Sequence, residues 1–211
     1  SSFLRDPQKL SIGALSKQIL ALQGIKVGGH IAEIYGIKDL AFNPLGESAA
    51  TLEALALKTM AVLDDEQGQK MQELILNVRE QADSVGGSIE CMILGLPAGI
   101  GSPFFDSVES RLAHALFSVP AVKGLEFGAG FALTAMRGSE ANDPLYLEEG
   151  SVKTRTNNNG GILGGITNGM PVIFKVGIKP TPSIGKQQTT VNLAKGENTM
   201  LQIAGRHDPC I

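Results

Sequence analysis

The stretch from Asp65 to about Ser84, with the residue that follows it, sets Met71, Leu74, Ile75, Val78, Ala82 and Val85 at spacings of three and four, so it predicts a helix with one apolar face. Gly86–Gly87 is its stop signal. A helix that is apolar on one side must lie on something, and the chain supplies candidate partners on either side of it. "IKVGGHIAEIYG" (25–36) reads as a strand or bent pair of strands, with Gly28 and Gly29 marking a bulge or a close backbone approach. "SIECMILGLP" (88–97) reads as a strand with Ile89, Cys91 and Ile93 on one face.

The same reasoning extends along the chain. A helix is predicted over 7–22, where Leu10, Ala14, Leu15, Ile19 and Leu22 share a face, and a shorter one over 49–60. Asp106 with Glu109 three residues on resembles a capping box, opening a helix whose apolar face carries Val108, Leu112, Ala115, Leu116 and Val119. "VKGLEFG" (122–128), "FALTAM" (131–136), "PVIFKVGIK" (171–179), "TTVNL" (189–193) and "TMLQIA" (199–204) read as strands. The polar segment 137–155 reads as a long surface loop. Helices and strands alternate in the first half and strands dominate the second. The expectation is a single domain over 1–211 of mixed α/β (α+β) type, with amphipathic helices packed between and against extended sheets.

Composition narrows the functions. A net charge of −3 argues against nucleic acid as a partner, so any anion must be met by a local basic cluster. The two cysteines, Cys91 and Cys210, make no disulfide framework and lack metal-ligand spacing, which points to a reducing cytoplasm. No apolar run approaches membrane-spanning length, and the first ten residues hold no signal-peptide core.

Three stretches carry chemistry. "TNNNGGILGGITNG" (156–169) could form an anion nest from successive N–H groups, but it matches neither the dinucleotide fingerprint nor the P-loop and leads into a strand. From the residues alone, a glycine-rich turn and a ligand loop stay equally open. "KPTPSIG" (179–185) offers Lys179, Thr181 and Ser183, one cation and two hydroxyls, in a loop stiffened by Pro180 and Pro182; alone it also reads as a rigid turn. "GRHDPC" (205–210) sets Arg206, His207 and Asp208 side by side, a pattern that taken singly is most often a surface ion pair.

In this order the three stretches resemble the chorismate synthase family, as do "GLPAGIGSPFFDSVESRLAHALFSVPAVKGLEFGAGF" (95–131) and "RGSEANDP" (137–144). The resemblance runs from about Leu15 to the last residue. It implies a β-α-β sandwich and an FMN-dependent lyase that eliminates phosphate from 5-enolpyruvylshikimate-3-phosphate to give chorismate, on the route to aromatic amino acids. Reduced FMN is the implied cofactor, NADPH its reductant in some members, and a cytoplasmic homotetramer the implied assembly.

Carried over by position, Asp208 is the carboxylate near the flavin that helps take up the proton. By the same resemblance Arg206 is expected to meet both flavin and substrate. Lys179, Pro180, Thr181, Pro182 and Ser183 hold the flavin phosphate and ribityl chain. Asn158 and Gly164 are flavin contacts, and Pro120 and Ala121 give a main-chain contact. Ser1 and Ser2 resemble the middle of a family R-S-S/A-x-R-E-T stretch that also meets the cofactor. The family's catalytic histidines belong to N-terminal motifs not found in this chain; His30, in a strand pattern beside two glycines, reads as structural or exposed, His114 as structural and His207 as positional.

The chain also lacks the family's G-E-S-H-G-type motif and the long helix that follows "GRHDPC". It reads as the C-terminal two-thirds of such an enzyme, expected to be inactive by itself. The competing expectation is a non-catalytic scaffold or subunit-interface remnant, and a generic flavoprotein oxidoreductase ranks last.

Overall fold

The computed structural model describes residues 7–205 and 208–210. Its centre is a five-stranded antiparallel sheet built from β1 (Lys26–Ile34), β2 (Ile37–Lys38), β3 (Gly87–Leu94), β4 (Val122–Phe127) and β9 (Val172–Ile178). The spatial order is β2-β1-β3-β9-β4, so β9 enters between two strands that precede it in sequence. Four helices accompany the sheet: α1 (Pro7–Leu22), α2 (Ala49–Leu57), α3 (Asp65–Glu80) and α4 (Val108–Phe117).

Register decides which residues meet. Cys91 sits opposite Phe174 and Ile93 opposite Val172, while Val176 and Phe174 face Leu125 and Phe127 across the other edge of β9. These side chains form one apolar layer, on which α4 lays Val108, Leu112 and Leu116. Burial in that layer pushes the Cys91 thiol up to about 12, with Glu90 adding to the effect, so this cysteine is an inert core group. Met92 and Ile173 belong to a second layer with Phe42 and the α2 residues Leu52 and Leu55. Helix α2 can sit there because position 28 is glycine: a Cβ would lie 2.8 Å from the Leu52 side chain. A third cluster joins α3, through Met71 and Val78, to Ile34, Val62 and Val85. The chain therefore has the expected mixed α/β character, with helices against both layers of an antiparallel sheet.

The second layer also holds a buried polar knot. His30 is fully enclosed, with Nδ1 2.8 Å from Asp39 Oδ2 and Nε2 2.9 Å from Glu90 Oε2. Asp39 further accepts the Leu63 and Asp64 N–H groups, and Glu90 accepts that of Phe42. Burial alone would raise the Glu90 carboxyl, but the hydrogen bonds from His30 and Phe42 outweigh it and leave the group below its ordinary range. One imidazole thus ties β1, β3 and the segments before α2 and α3. His114, by contrast, is exposed on α4 rather than structural.

Several local expectations are corrected. Helix α4 is capped by Ser107, whose hydroxyl accepts from the Ser110 N–H at 3.1 Å; Asp106 lies one residue earlier and pairs with Arg111. The short hydroxyl side chain sits where the backbone is still extended, which is what capping requires. "FALTAM" is a 3₁₀ helix over Gly130–Ala135, not a strand. Gly128 and Gly130 both have positive φ and turn the chain out of β4, and the Glu126 carboxylate accepts the Phe131 N–H. The segment 137–155 is not an irregular loop. It contains a helical turn, α5 (Gly138–Ala141), and a ribbon of β5 (Leu145–Glu148) and β6 (Ser151–Thr154) closed at Glu149–Gly150, both at positive φ. Helix α2 ends at Leu57, and α3 stops at Glu80, before Ala82 turns left-handed and well short of Gly86–Gly87. The β1 irregularity falls between Ile31 and Glu33, so Gly28 and Gly29 are close approaches and not the bulge.

Replacing His30 by Ala would leave two buried carboxylates without the group that joins them. His30→Ala should lower stability by about 3–5 kcal/mol, read as a fall in the urea midpoint at neutral pH. An unchanged midpoint would show that the knot does not hold the fold.

Candidate functional site

Strand β9 ends where β3 and β4 begin, since Ile178 pairs with Gly87 on one side and Val122 on the other. Three segments distant in sequence arrive at this edge. The Lys179 N–H donates to the Ala121 carbonyl at 2.9 Å, joining the loop after β9 to the residues before β4. The Ser84 hydroxyl donates to the Thr181 carbonyl at 2.6 Å. The Val85 N–H donates to the Pro209 carbonyl at 2.9 Å, fixing the segment that carries Asp208. Beyond them, Gly185 and Lys186 N–H groups donate to the Ala82 carbonyl, and Lys186 Nζ lies 2.7 Å from Asp83. That contact and the Ser84 N–H hold the Asp83 carboxyl below its ordinary range.

Of the expected site residues, the structure brings together Ala121, Lys179, Thr181 and Asp208, each half-buried. Pro120, Pro180, Pro182 and Ser183 accompany them and are exposed. Two residues before Lys179, Gly177 faces Gly124 across the β4–β9 pair, and a side chain at either position would meet only the other glycine. This bare strip floors a shallow pocket of about 220 Å³ walled by Phe131 and Lys175. Glu126 also lines this pocket, and the loop bearing Lys179, Thr181 and Ser183 leaves β9 directly after the strip. Ser1, Ser2, Arg206 and His207 lie outside the described residues.

Asn158 and Gly164 lie at the other end of β9, roughly 20 Å away along a seven-residue strand. There the asparagine–glycine run closes on itself. It contains a tight hairpin of β7 (Ile162–Leu163) and β8 (Ile166–Thr167) with Gly164 at its open tip. The Asn158 and Asn159 N–H groups donate to the Asp143 carboxylate at 2.7 and 3.0 Å, as do Thr156 Oγ1 and the Asn159 side chain. The next two N–H groups go to the carbonyl and side chain of Asn157, which is itself buried and donates to Pro44 and Pro171. Asn158 Nδ2 is directed at the Glu140 and Ala141 carbonyls. An anion nest is indeed formed, and the anion in it is Asp143 of the same chain.

Ser84, Asp83, Gly124, Gly177 and Asp143 were not singled out from the sequence. "DSVGG" (83–87) after a helix and "NDP" (142–144) are their visible traces, but their partners are non-local.

The edge is thus that of a helix-covered antiparallel sheet on which the loop bearing Lys179, Thr181 and Ser183 is tied to the same turn as the segment bearing Asp208. A chorismate synthase family model matches residues 7–211, and the chain belongs to that family. It is 46% identical over 201 residues to the chorismate synthase of Methanosarcina acetivorans, covering 94% of this chain and 53% of the relative. It is 44% identical to that of Dehalococcoides mccartyi over 206 residues and 43% identical to that of Synechocystis over 205, covering 54% and 55% of those proteins. A crystal structure of a chorismate synthase superposes with a TM-score of 0.76 at 31% identity, covering 83% of this chain and 55% of that one. The chain thus spans about half the length of the relatives it matches, less than the two-thirds expected.

The Asp143 clamp has a pH signature. Burial would raise this carboxyl, but the N–H and hydroxyl donors around it bring it below the ordinary aspartate range. Its stabilisation is therefore present above that range and lost as pH falls through the folded value. Asp143→Asn should cost roughly 1–3 kcal/mol at pH 7, and its urea midpoint should converge with that of the wild type on acidification. Parallel curves down to pH 3 would refute the clamp.

Proposed function

We propose that the chain carries the flavin-facing part of a chorismate synthase, an FMN-dependent lyase that removes phosphate from 5-enolpyruvylshikimate-3-phosphate by anti-1,4-elimination. The observation that carries this reading is the meeting of Ala121, Lys179–Thr181 and the Asp208 segment at one sheet edge, beside the Gly124–Gly177 strip.

These residues fit reduced FMN by chemistry. Lys179, Thr181 and Ser183 would take the phosphate and ribityl hydroxyls, and Pro180 and Pro182 would limit the entropy lost on binding. Pro120 and Ala121 would contribute main-chain contact, and the glycine strip would let a flat ring lie close to the backbone. When bound, reduced flavin supplies electron density to the breaking C–O bond. Asp208 would take up the ring proton, and Arg206 would hold a substrate anion, with Ser1 and Ser2 as further cofactor contacts.

We also propose a cytoplasmic homotetramer with NADPH as one route to flavin reduction. Self-association is supported by exposed apolar groups, Phe104 and Phe105 among them at 89% and 91% exposure. Among the described residues no helix is long and apolar enough to cross a membrane. Because the matched relatives are about twice as long, the full reaction is proposed for the whole family protein and this chain alone is proposed to be inactive.

A second reading, a scaffold or subunit-interface remnant, draws on the far end of β9, where Asn158 and Asp143 are engaged with one another. One experiment separates the two. The purified chain is given FMN, dithionite and 5-enolpyruvylshikimate-3-phosphate while flavin absorbance and phosphate are followed. The expected result is a perturbed flavin spectrum without phosphate release above background, and a Kd raised about tenfold or more in Lys179→Ala. Turnover at an ordinary enzymatic rate would overturn the inactivity, and an unperturbed spectrum would favour the scaffold.

A further inference from the structure

The turn between α3 and β3 touches both segments that carry the candidate groups. Ser84 holds Thr181, and the adjacent Val85 holds Pro209, next to Asp208. The loop 179–186 is fastened at its start by Lys179 N–H to Ala121 and at its end by Gly185 and Lys186 N–H to Ala82. Between those anchors the arc has the 2.6 Å bond from Ser84 Oγ to Thr181 and a longer surface contact, Gln188 Nε2 to Pro182, at 3.3 Å. The short bond is half-buried, whereas the Asp83–Lys186 pair that flanks it is solvent-exposed and screened. With Pro180 and Pro182 stiffening the arc, the shorter, half-buried tether at Thr181 sets the position of its neighbours.

We infer that Ser84 is a positioning residue of the candidate site. Its hydroxyl fixes the loop bearing Lys179, Thr181 and Ser183 in register with the segment bearing Asp208. Ser84 needs no contact with a ligand for this; it acts through the Thr181 carbonyl, while Val85 supplies the matching constraint on the other segment. The inference rests on the reading of this edge as a flavin site.

The test compares wild type, Ser84→Ala, Ser84→Val and Ser84→Thr by amide hydrogen exchange and by titration with FMN. In Ser84→Ala, exchange of the 181–186 amides should rise about tenfold and the FMN Kd should rise by a similar factor. Exchange in β1 and α4 should stay unchanged, and Ser84→Thr should restore both quantities. Should Ser84→Ala fail to fold, by loss of its far-ultraviolet circular dichroism, the isosteric Thr and Val variants make the same comparison. Unchanged exchange in 181–186 overturns the tether. A loosened loop with wild-type FMN affinity overturns the positioning role while the flavin reading stands. A wild-type chain that leaves the FMN spectrum unperturbed removes the flavin reading itself, and the inference with it.

Discussion

Strand β9 is paired along both edges, covered by α4 along one face and by α2 over Ile173 on the other, and the rest of the sheet is placed relative to it. Its register is constrained from two sides. Val172, Phe174 and Val176 must enter the apolar layer beneath α4, and Lys175 must not. Lys175 instead stands between Glu90 on β3 and Glu126 on β4, and His30 on β1 continues the row behind Glu90. A slip by one residue would drive the lysine under α4 and break the charge row at once, so the two constraints reinforce each other. The exposed Lys175–Glu126 contact, at 3.6 Å, adds little energy by itself. Its effect is to exclude the wrong pairing.

Because β9 is held so tightly, the loops at its two ends inherit defined positions. At its start, the asparagine–glycine run is closed by Asp143 from the segment before it. At its end, the proline-containing loop is closed by Ser84 from the turn before β3. In both cases a chain stretch without strong local structure is fixed by a polar side chain from another element. At the proline-containing loop this agrees with the proposed site, whose groups would be held near their working geometry before a ligand arrives.

Periodicity made α3, β3 and β9 legible, since each turns its apolar spacing towards a core, and it marked the span of α1 although Leu15, Ile19 and Leu22 are exposed there. It failed where the deciding force was not a core face. "FALTAM" has strand-like composition, but the positive φ values at Gly128 and Gly130 and the Glu126 carboxylate bend it into a 3₁₀ helix. The β5–β6 ribbon escaped notice because Leu145, Leu147 and Val152 are exposed, so nothing in the pattern marks a buried side. The candidate edge was readable as motifs, with Lys179–Ser183 and Asp208 given by their resemblance to a family. That these motifs meet, while Asn158 and Gly164 stand apart from them, was not.

The open question over the asparagine–glycine run shows why. Read locally, a turn and an anion cradle predict the same glycines and asparagines, because both need successive N–H groups turned inward. What separates them is the identity of the anion, and that lies 15 residues back in Asp143. Local sequence can announce that a set of donors is gathered. Only the tertiary partner shows whether the acceptor is a ligand or the protein's own carboxylate, and at this end of β9 the acceptor is internal.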